Sequence, residues 1–309
     1  MPLEPLRIGT RGSALALWQA REAARLLEAA GIASTIHVIR TTGDRRADVP
    51  LALIGGKGVF IKELEESLMK GEIDVAVHSL KDIPTLTSPE FTLAAFLTRA
   101  DPRDAWIQPD GLLPGDLKHG SKVGTSAPRR RAQLTNLYSH LDLEEIRGNV
   151  DSRLAKLQEG HYDAIVLAAA GVNRLGRADV VTHLFSVDEM IPAAGQGTVV
   201  LETLTERIDL REQVAAITDH RAEVESQCER GVLEQFGTSL DCYSAVAVHA
   251  TLTEGELVIR AFLSDLKGND AIRVVRNTEP EFATTLVVTV AGELIAEGAL
   301  ELLARGTTA

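Results

Sequence analysis

Behind a Gly-Thr-Ser turn at residues 124–126 stand three consecutive arginines, Arg129, Arg130 and Arg131, in a chain whose formal net charge is -12. A guanidinium presents a planar fork of donors that grips a carboxylate or phosphate bidentately, so such a run asks for an anion. Other cations fall where short β-branched runs end: Arg11 after LRIGT, Lys81 with Asp82 after IDVAVHSL, Arg147 after LEEI, and Arg174 shortly after DAIVLAA. A solvated face scatters its charges along helix exteriors, and Arg45 and Arg46 in RRAD read that way. Several forks gathered at strand ends imply a ligand bearing many acidic groups, because open α/β sheets bind ligands beyond the carboxyl ends of their strands. Two thiols complete the inventory. Cys228 lies in a helical pattern, AEVESQCERGVL, whereas Cys242 lies in a loop, GTSLDCYSAV, just before an alternating strand. No CxxC, HxxxH or HxH spacing occurs, so no metal is expected.

The elements that must position these groups alternate in the first half of the chain. LRIGT, the helical SALALWQAREAARLLEAAG, STIHVIRTT, VFIKELEESLMKG and IDVAVHSL read as βαβ units, with Ser13 as the first helix's N-cap and Gly31 as its stop. After a break near ADPRD the rhythm restarts with strands at KVGT, LEEIR and DAIVLAA. From about Asp219 it changes to a helix, two alternating runs around a Glu-Gly turn, a further strand and a final helix through LVVTVAGELIAEGALELLA. That pattern predicts a small α+β domain with an antiparallel sheet.

At 309 residues the chain exceeds one ordinary core and favours two or three domains. With 44 acidic against 32 basic residues and only 4% aromatics, it repels nucleic acid and anionic membranes and offers few stacking platforms. No apolar run approaches the roughly 20 residues of a membrane span. The start, MPLEPLRIGTRGS, lacks the order of a secretory signal, and a cytoplasmic location is expected. A non-catalytic solute-binding protein would also explain the arginines, but not Cys242 or Asp82.

The motifs LRIGTRGSALALWQA, GGKGVFIKELE, VAVHSLKDIP, GTSAPRRRAQL, IRGNVDSRLAKL, YDAIVLAAAGVNRLG and IPAAGQG, in this order from residue 6 to about 200, resemble the hydroxymethylbilane synthase (porphobilinogen deaminase) family. The resemblance implies two α/β domains of the type II periplasmic-binding-protein fold around a cleft, 1–97 with 198–218 and 102–193, plus a small α+β domain at 219–309. It implies a transferase of tetrapyrrole (heme) biosynthesis that joins four porphobilinogen molecules head to tail, releasing ammonia each time, to give hydroxymethylbilane. It also implies a dipyrromethane cofactor held by a thioether to Cys242, and a monomer.

Roles follow by motif. The resemblance implies Asp82 as the catalytic group, a carboxylate that steadies the cation left as ammonia departs. Cofactor carboxylates would be held by Lys81, Arg129, Arg130 and Arg153, with Thr125 and Ser126 adding donors and Asp82 meeting pyrrole N–H. Substrate contacts would come from Arg11, Ser13, Gln19, Lys57, Phe60, Arg147, Arg174 and Gln196, with Phe60 stacking on a pyrrole and Lys57 in a lid. Arg131 is expected to face solvent or a neighbouring helix. The chain departs from the family in the SLDCYSAV loop, in Ala127 where a serine is frequent, and in Leu53 where a lysine is.

Overall fold

The computed structural model describes residues 4–40, 61–240 and 244–306. Two compact units emerge, Met1–Ala100 with Gly197–Val224 and Asp101–Gln196 with Glu225–Ala309. Along the chain run β1 (Leu6–Thr10), α1 (Ala14–Ala29), β2 (Ser34–Val38), α2 (Lys62–Met69), β3 (Val75–Ser79), β4 (Phe91–Phe96), β5 (Asp104–Ile107), β6 (Lys122–Gly124) and α3 (Pro128–Leu137). There follow β7 (Asp142–Glu144), α4 (Val150–Gln158), β8 (Ala164–Ala168), α5 (Ala169–Arg174), β9 (His183–Leu184), β10 (Val199–Leu204), α6 (Ile208–Ala215) and α7 (His220–Glu234). The last elements are β11 (Ala245–Leu252), β12 (Leu257–Ser264), β13 (Ala271–Thr278), α8 (Ala283–Ala296) and α9 (Ala299–Gly306).

The first unit holds a five-stranded sheet ordered β2-β1-β3-β10-β4. β1 pairs in parallel with β2 and β3, while β10 runs antiparallel to β3 and β4. Its core gathers Ile8, Val75, Val77, Ala95, Val199 and Leu201 from the strands and Ala20, Ala23 and Leu27 from α1. That helix starts as the sequence predicts: the Ser13 hydroxyl accepts from Ala16 N, and Gly31 turns at φ 80° beyond its end.

The second unit repeats the pattern with the order β7-β6-β8-β5-β9, β5 being the antiparallel strand. Its central strands, β5 and β8, are buried nearly throughout. Trp106, Val123 and Val166 pack with Leu134 of α3, whereas Ile107, Ile165 and Leu167 pack with Leu154 and Leu157 of α4. Continuous apolar runs such as AIVLA suit strands covered by helices on both sides. Both sheets have the mixed order of the type II periplasmic-binding-protein fold. A third sheet, β11-β12-β13, is wholly antiparallel and lies under α8 through Leu286, Val290 and Leu294. Ala245 and Ala247 of β11 and Phe262 of β12 share a core with Ala132 of α3 and Ile191. The β12–β13 turn comes so close that a Cβ on Gly268, at φ 77°, would lie 2.7 Å from the Ala132 carbonyl oxygen. Only glycine tolerates both the left-handed backbone and that approach. The single final helix expected from the sequence is two, because Gly298 at φ 96° separates α8 from α9.

Candidate active site

In the first unit, the turn Leu80–Asp82 follows β3 directly. Leu80 and Ile83 are buried with Ile61, Phe96 and Val200, and Leu80 N donates to the Thr198 carbonyl. These two anchors leave Lys81 and Asp82, between them, exposed. Asp82 accepts no hydrogen bond among the described residues, so its carboxylate is available for a cationic or N–H partner. Arg11 follows β1 and is half-buried, as is Ser13, whose hydroxyl serves as the cap of α1. Gln19, expected as a substrate contact, is placed here against the chain itself. It is 3% exposed, and its amide donates to Ser79 Oγ at 2.7 Å, tying α1 to the residue that opens the Lys81–Asp82 turn. Ser79 was not singled out by the sequence; a serine at the end of a buried apolar strand, just ahead of the Lys-Asp pair, is the signal it offered.

In the second unit, β6 ends at Gly124 and Thr125 follows, buried, its N–H bound to the Glu144 carbonyl and its hydroxyl accepting from Ala127 N. Ala127 occupies the N-cap of α3 and brings no side-chain acceptor, but its carbonyl accepts from both Arg130 N and Arg131 N. Pro128, at the first helical position, has no N–H to satisfy.

Arg129 and Arg130 point inward. They are 5% and 4% exposed, and Asp104, at the start of β5, is fully buried between them. Arg129 makes a two-pronged pair with Asp104 at 2.6 and 3.0 Å, and Arg130 reaches the same carboxylate through Nε at 2.9 Å. Burial pushes the Asp104 carboxyl up, but the charges of Arg129 and Arg130, with hydrogen bonds from Arg129 and Gln196, outweigh it and hold the group well below the usual carboxylate range. Arg129 and Arg130, expected to hold cofactor carboxylates, are paired here with a carboxylate of the chain itself. Gln196, expected to meet substrate, belongs to the same network. It is fully buried, donating to the Pro102 carbonyl and to Asp104 and accepting from Arg129. Asp104 closes the ADPRD break in the sequence. An acid opening the apolar strand DAWI was its only signal.

Arg131, Arg147, Arg153 and Arg174 are half-buried. Arg131 turns to a strand, not to solvent or a helix, and donates to the Leu143 carbonyl. Arg147 lies 3.5 Å from Glu145, and its carbonyl accepts from Lys156. Arg153 donates through Nε to the Gly148 carbonyl, just ahead of Asn149, the N-cap of α4. Arg174 ends α5. Lys57, Phe60, Leu53, Arg45, Arg46 and Cys242 lie outside the described residues. Cys228 is 5% exposed on α7, and burial, with the charges of Glu229 and Glu225, pushes its thiol up to about 11.

The donor set suits a polycarboxylate in part. The half-buried Ser126 and the half-buried Arg147, Arg153 and Arg174 are chemically apt for carboxylates, and Arg129 and Arg130 already hold one, that of Asp104. Among the described residues no cluster of His, Cys, Asp and Glu could hold a metal ion, and no helix is long and apolar enough to cross a membrane.

A family model described as porphobilinogen deaminase, dipyromethane cofactor binding domain, matches residues 6–212. The porphobilinogen deaminase of Acidithiobacillus ferrooxidans is 40% identical over 301 residues, 96% of this chain and 97% of that protein. That of Trichlorobacter lovleyi is 41% identical over 300 residues, 96% of this chain and 95% of that protein. Among solved structures, the methionine binding protein MetQ matches loosely, at 12% identity and a TM-score of 0.45 over 71% of this chain and 91% of that one. With a family model spanning most of its length and relatives at this identity over nearly all of it, the chain belongs to the porphobilinogen deaminase family.

Proposed function

We propose that the chain condenses four porphobilinogen molecules head to tail into hydroxymethylbilane, with Asp82 as its catalytic carboxylate and Cys242 as the attachment point of dipyrromethane. The observation that carries this reading is the exposed, unengaged Asp82 held at the end of β3 by its buried neighbours Leu80 and Ile83, in a chain of this family. Bound dipyrromethane supplies the pyrrole to which new units are joined. Loss of ammonia from porphobilinogen leaves a positive charge on its methylene and pyrrole ring, and a carboxylate placed beside it lowers the energy of that charge. Lys81 adds a cation for an acetate or propionate group, and Arg11, Arg147, Arg153 and Arg174 supply further charge of the right sign. Thr125 and Ser126 offer hydroxyl and backbone donors, and Phe60 and Lys57 keep their proposed roles of pyrrole stacking and lid. Cys228 supports the choice of Cys242 by contrast: a buried thiol held protonated at neutral pH is a poor nucleophile. The second unit is read as two domains, 102–193 and 219–309, beside 1–97 with 198–218. The protein is read as a cytoplasmic monomer serving heme formation.

The test is single-turnover ammonia release from protein whose cofactor content is verified by mass. Asp82→Asn should retain the adduct and lose several orders of magnitude in rate, the equivalent of about 3–5 kcal/mol of transition-state stabilisation. Release at the wild-type rate would remove Asp82 from the chemistry. Peptide mapping should find the adduct on Cys242, and an adduct on Cys228 would reassign the attachment.

A further inference from the structure

A strand with one apolar face keeps its register because a slip of one residue turns that face outward. β3 and β10 lack this guard: both are buried for nearly their whole length, and Val199, Val200 and Leu201 make β10 apolar on both faces. The polar feature of their pairing is His78 with Glu202. These residues are 6% and 1% exposed, and His78 Nε2 lies 3.0 Å from Glu202 Oε2. His78 stands opposite Val200 and Glu202 opposite Ala76, so the two side chains are diagonal neighbours on one face of the sheet. That face is covered by Leu64 and Leu68 of α2. Glu65, half-buried on the same helix, is a further acid within reach; burial and then the charge of Glu202 push its carboxyl up, so it offers Glu202 no compensating charge. Along its other edge β10 shifts against β4 at this same residue, with Leu201 opposite Ala95 and Glu202 opposite Leu93. Such a bulge re-aims a side chain.

The pair tells the registers apart. A slip of one residue along β3 turns Glu202 to the face away from His78, and a slip of two sets it opposite Asp74, carboxylate against carboxylate. Either one strands a buried charge, which is strongly unfavourable. The opposite slip of two would bring Glu202 level with His78, and there Thr203 Oγ1, which donates to the Asp74 carbonyl at 2.8 Å, loses its partner. A two-residue step moves a strand by about 7 Å. That is enough to carry the Thr198 carbonyl away from Leu80, whose N–H donates to it at 3.0 Å where the Leu80–Asp82 turn begins.

We infer that His78 and Glu202 form a register key for β10 and are thereby positioning residues for Asp82: the pair fixes which carbonyl of the chain meets Leu80, and so where the turn that carries Asp82 stands. The inference rests on the catalytic reading of Asp82 given above. It separates register from stability, because replacing both members of a buried ion pair by apolar residues is often neutral or stabilising, whereas removing one member is costly.

The experiment compares full-length, cofactor-loaded wild type with His78→Leu, Glu202→Met, the double variant, and the exchanged pair His78→Glu with Glu202→His. Thermal unfolding reports stability, amide hydrogen exchange at Leu80 reports its bond to Thr198, and porphobilinogen consumption gives kcat and KM. The single variants should lower Tm by roughly 6–20 °C. The double variant should keep the wild-type Tm or exceed it, yet exchange Leu80 roughly tenfold faster and lose about 10–100-fold in kcat with KM little changed. The exchanged pair should restore both Leu80 protection and kcat, and serves if the double variant does not fold. A double variant with wild-type Leu80 exchange and kcat overturns the inference. So does an exchanged pair with wild-type Tm whose Leu80 is as fast as in the single variants. Fast Leu80 exchange with undiminished kcat in the double variant would instead overturn the catalytic reading of Asp82, with the register of β10 still set by the pair.

Discussion

The contact between Gln19 and Ser79 makes a prediction that separates positioning from substrate binding. Gln19→Met preserves the volume of a residue that is 3% exposed while deleting the amide that donates to Ser79 Oγ at 2.7 Å. A neutral hydrogen bond contributes about 0.5–1.5 kcal/mol net, and Ser79 is half-buried, so water can take up part of the loss. The expected cost in stability is about 1 kcal/mol, a lowering of Tm by roughly 2–4 °C. Ser79 immediately precedes the turn that carries Asp82, so the same loosening should reach the rate: about 1 kcal/mol of misplacement corresponds to roughly a fivefold lower kcat. KM should stay near its wild-type value. The assay is steady-state porphobilinogen consumption and urea unfolding for Gln19→Met, Ser79→Ala and the pair, with a coupling of about 1 kcal/mol between them. A raised KM with unchanged kcat and stability in Gln19→Met, together with a silent Ser79→Ala, would refute the argument and return Gln19 to the substrate.

Two further outcomes follow from charge and burial. Burial pushes the Asp74 carboxyl up, but hydrogen bonds from the Arg7 side chain and backbone, with the charges of Arg7 and Arg207, hold it below its ordinary value. A depressed folded value means that the contribution is present above the unfolded pKa of about 3.9 and is lost as pH falls through the folded one. Asp74→Asn should therefore cost stability at neutral pH and flatten its decline below about pH 4, and an unchanged acid limb in urea unfolding would contradict this. For Cys228, whose thiol lies at about 11, cofactor-loaded native protein should show no fast-reacting thiol toward a disulfide reagent at pH 8 and one thiol after denaturation. A fast thiol in the loaded protein that vanishes in Cys228→Ala would be the contrary result.

Much of this fold could be read from local pattern, because local pattern is what the sequence carries most directly. Ser13 and Gly31 mark the ends of α1, and the alternation in AVAVHATL and LVIRAFLS yields the β11–β12 hairpin. The insertion of β10 between β3 and β4 has no local sign, since VVLETL reads alike in either direction and its partners lie more than 100 residues earlier. Lys81 and Asp82 were legible as a polar pair after a buried strand. The arginine run was legible as a demand for an anion but not for which one. Arg129, Arg130 and Leu134 are all buried on α3, so its polar residues do not mark an outer face, and only the folded chain shows that Asp104 comes to meet them.

The place of β10 also sets a timetable for synthesis. A ribosome that has released the chain through Phe96 has produced β3 and β4 with their facing edges open, because the strand that joins them is still about 100 residues away. At about 5–20 residues per second that interval lasts roughly 5–20 s, during which two unpaired edges can recruit a neighbouring nascent chain. The second unit has the opposite arrangement. Its antiparallel strand, β5, is made first, and its sheet has every strand in hand once Leu184 is out. The half of the protein that is translated first is thus the half whose sheet is finished later, and the nascent chain needs shielding along the open edges of β3 and β4.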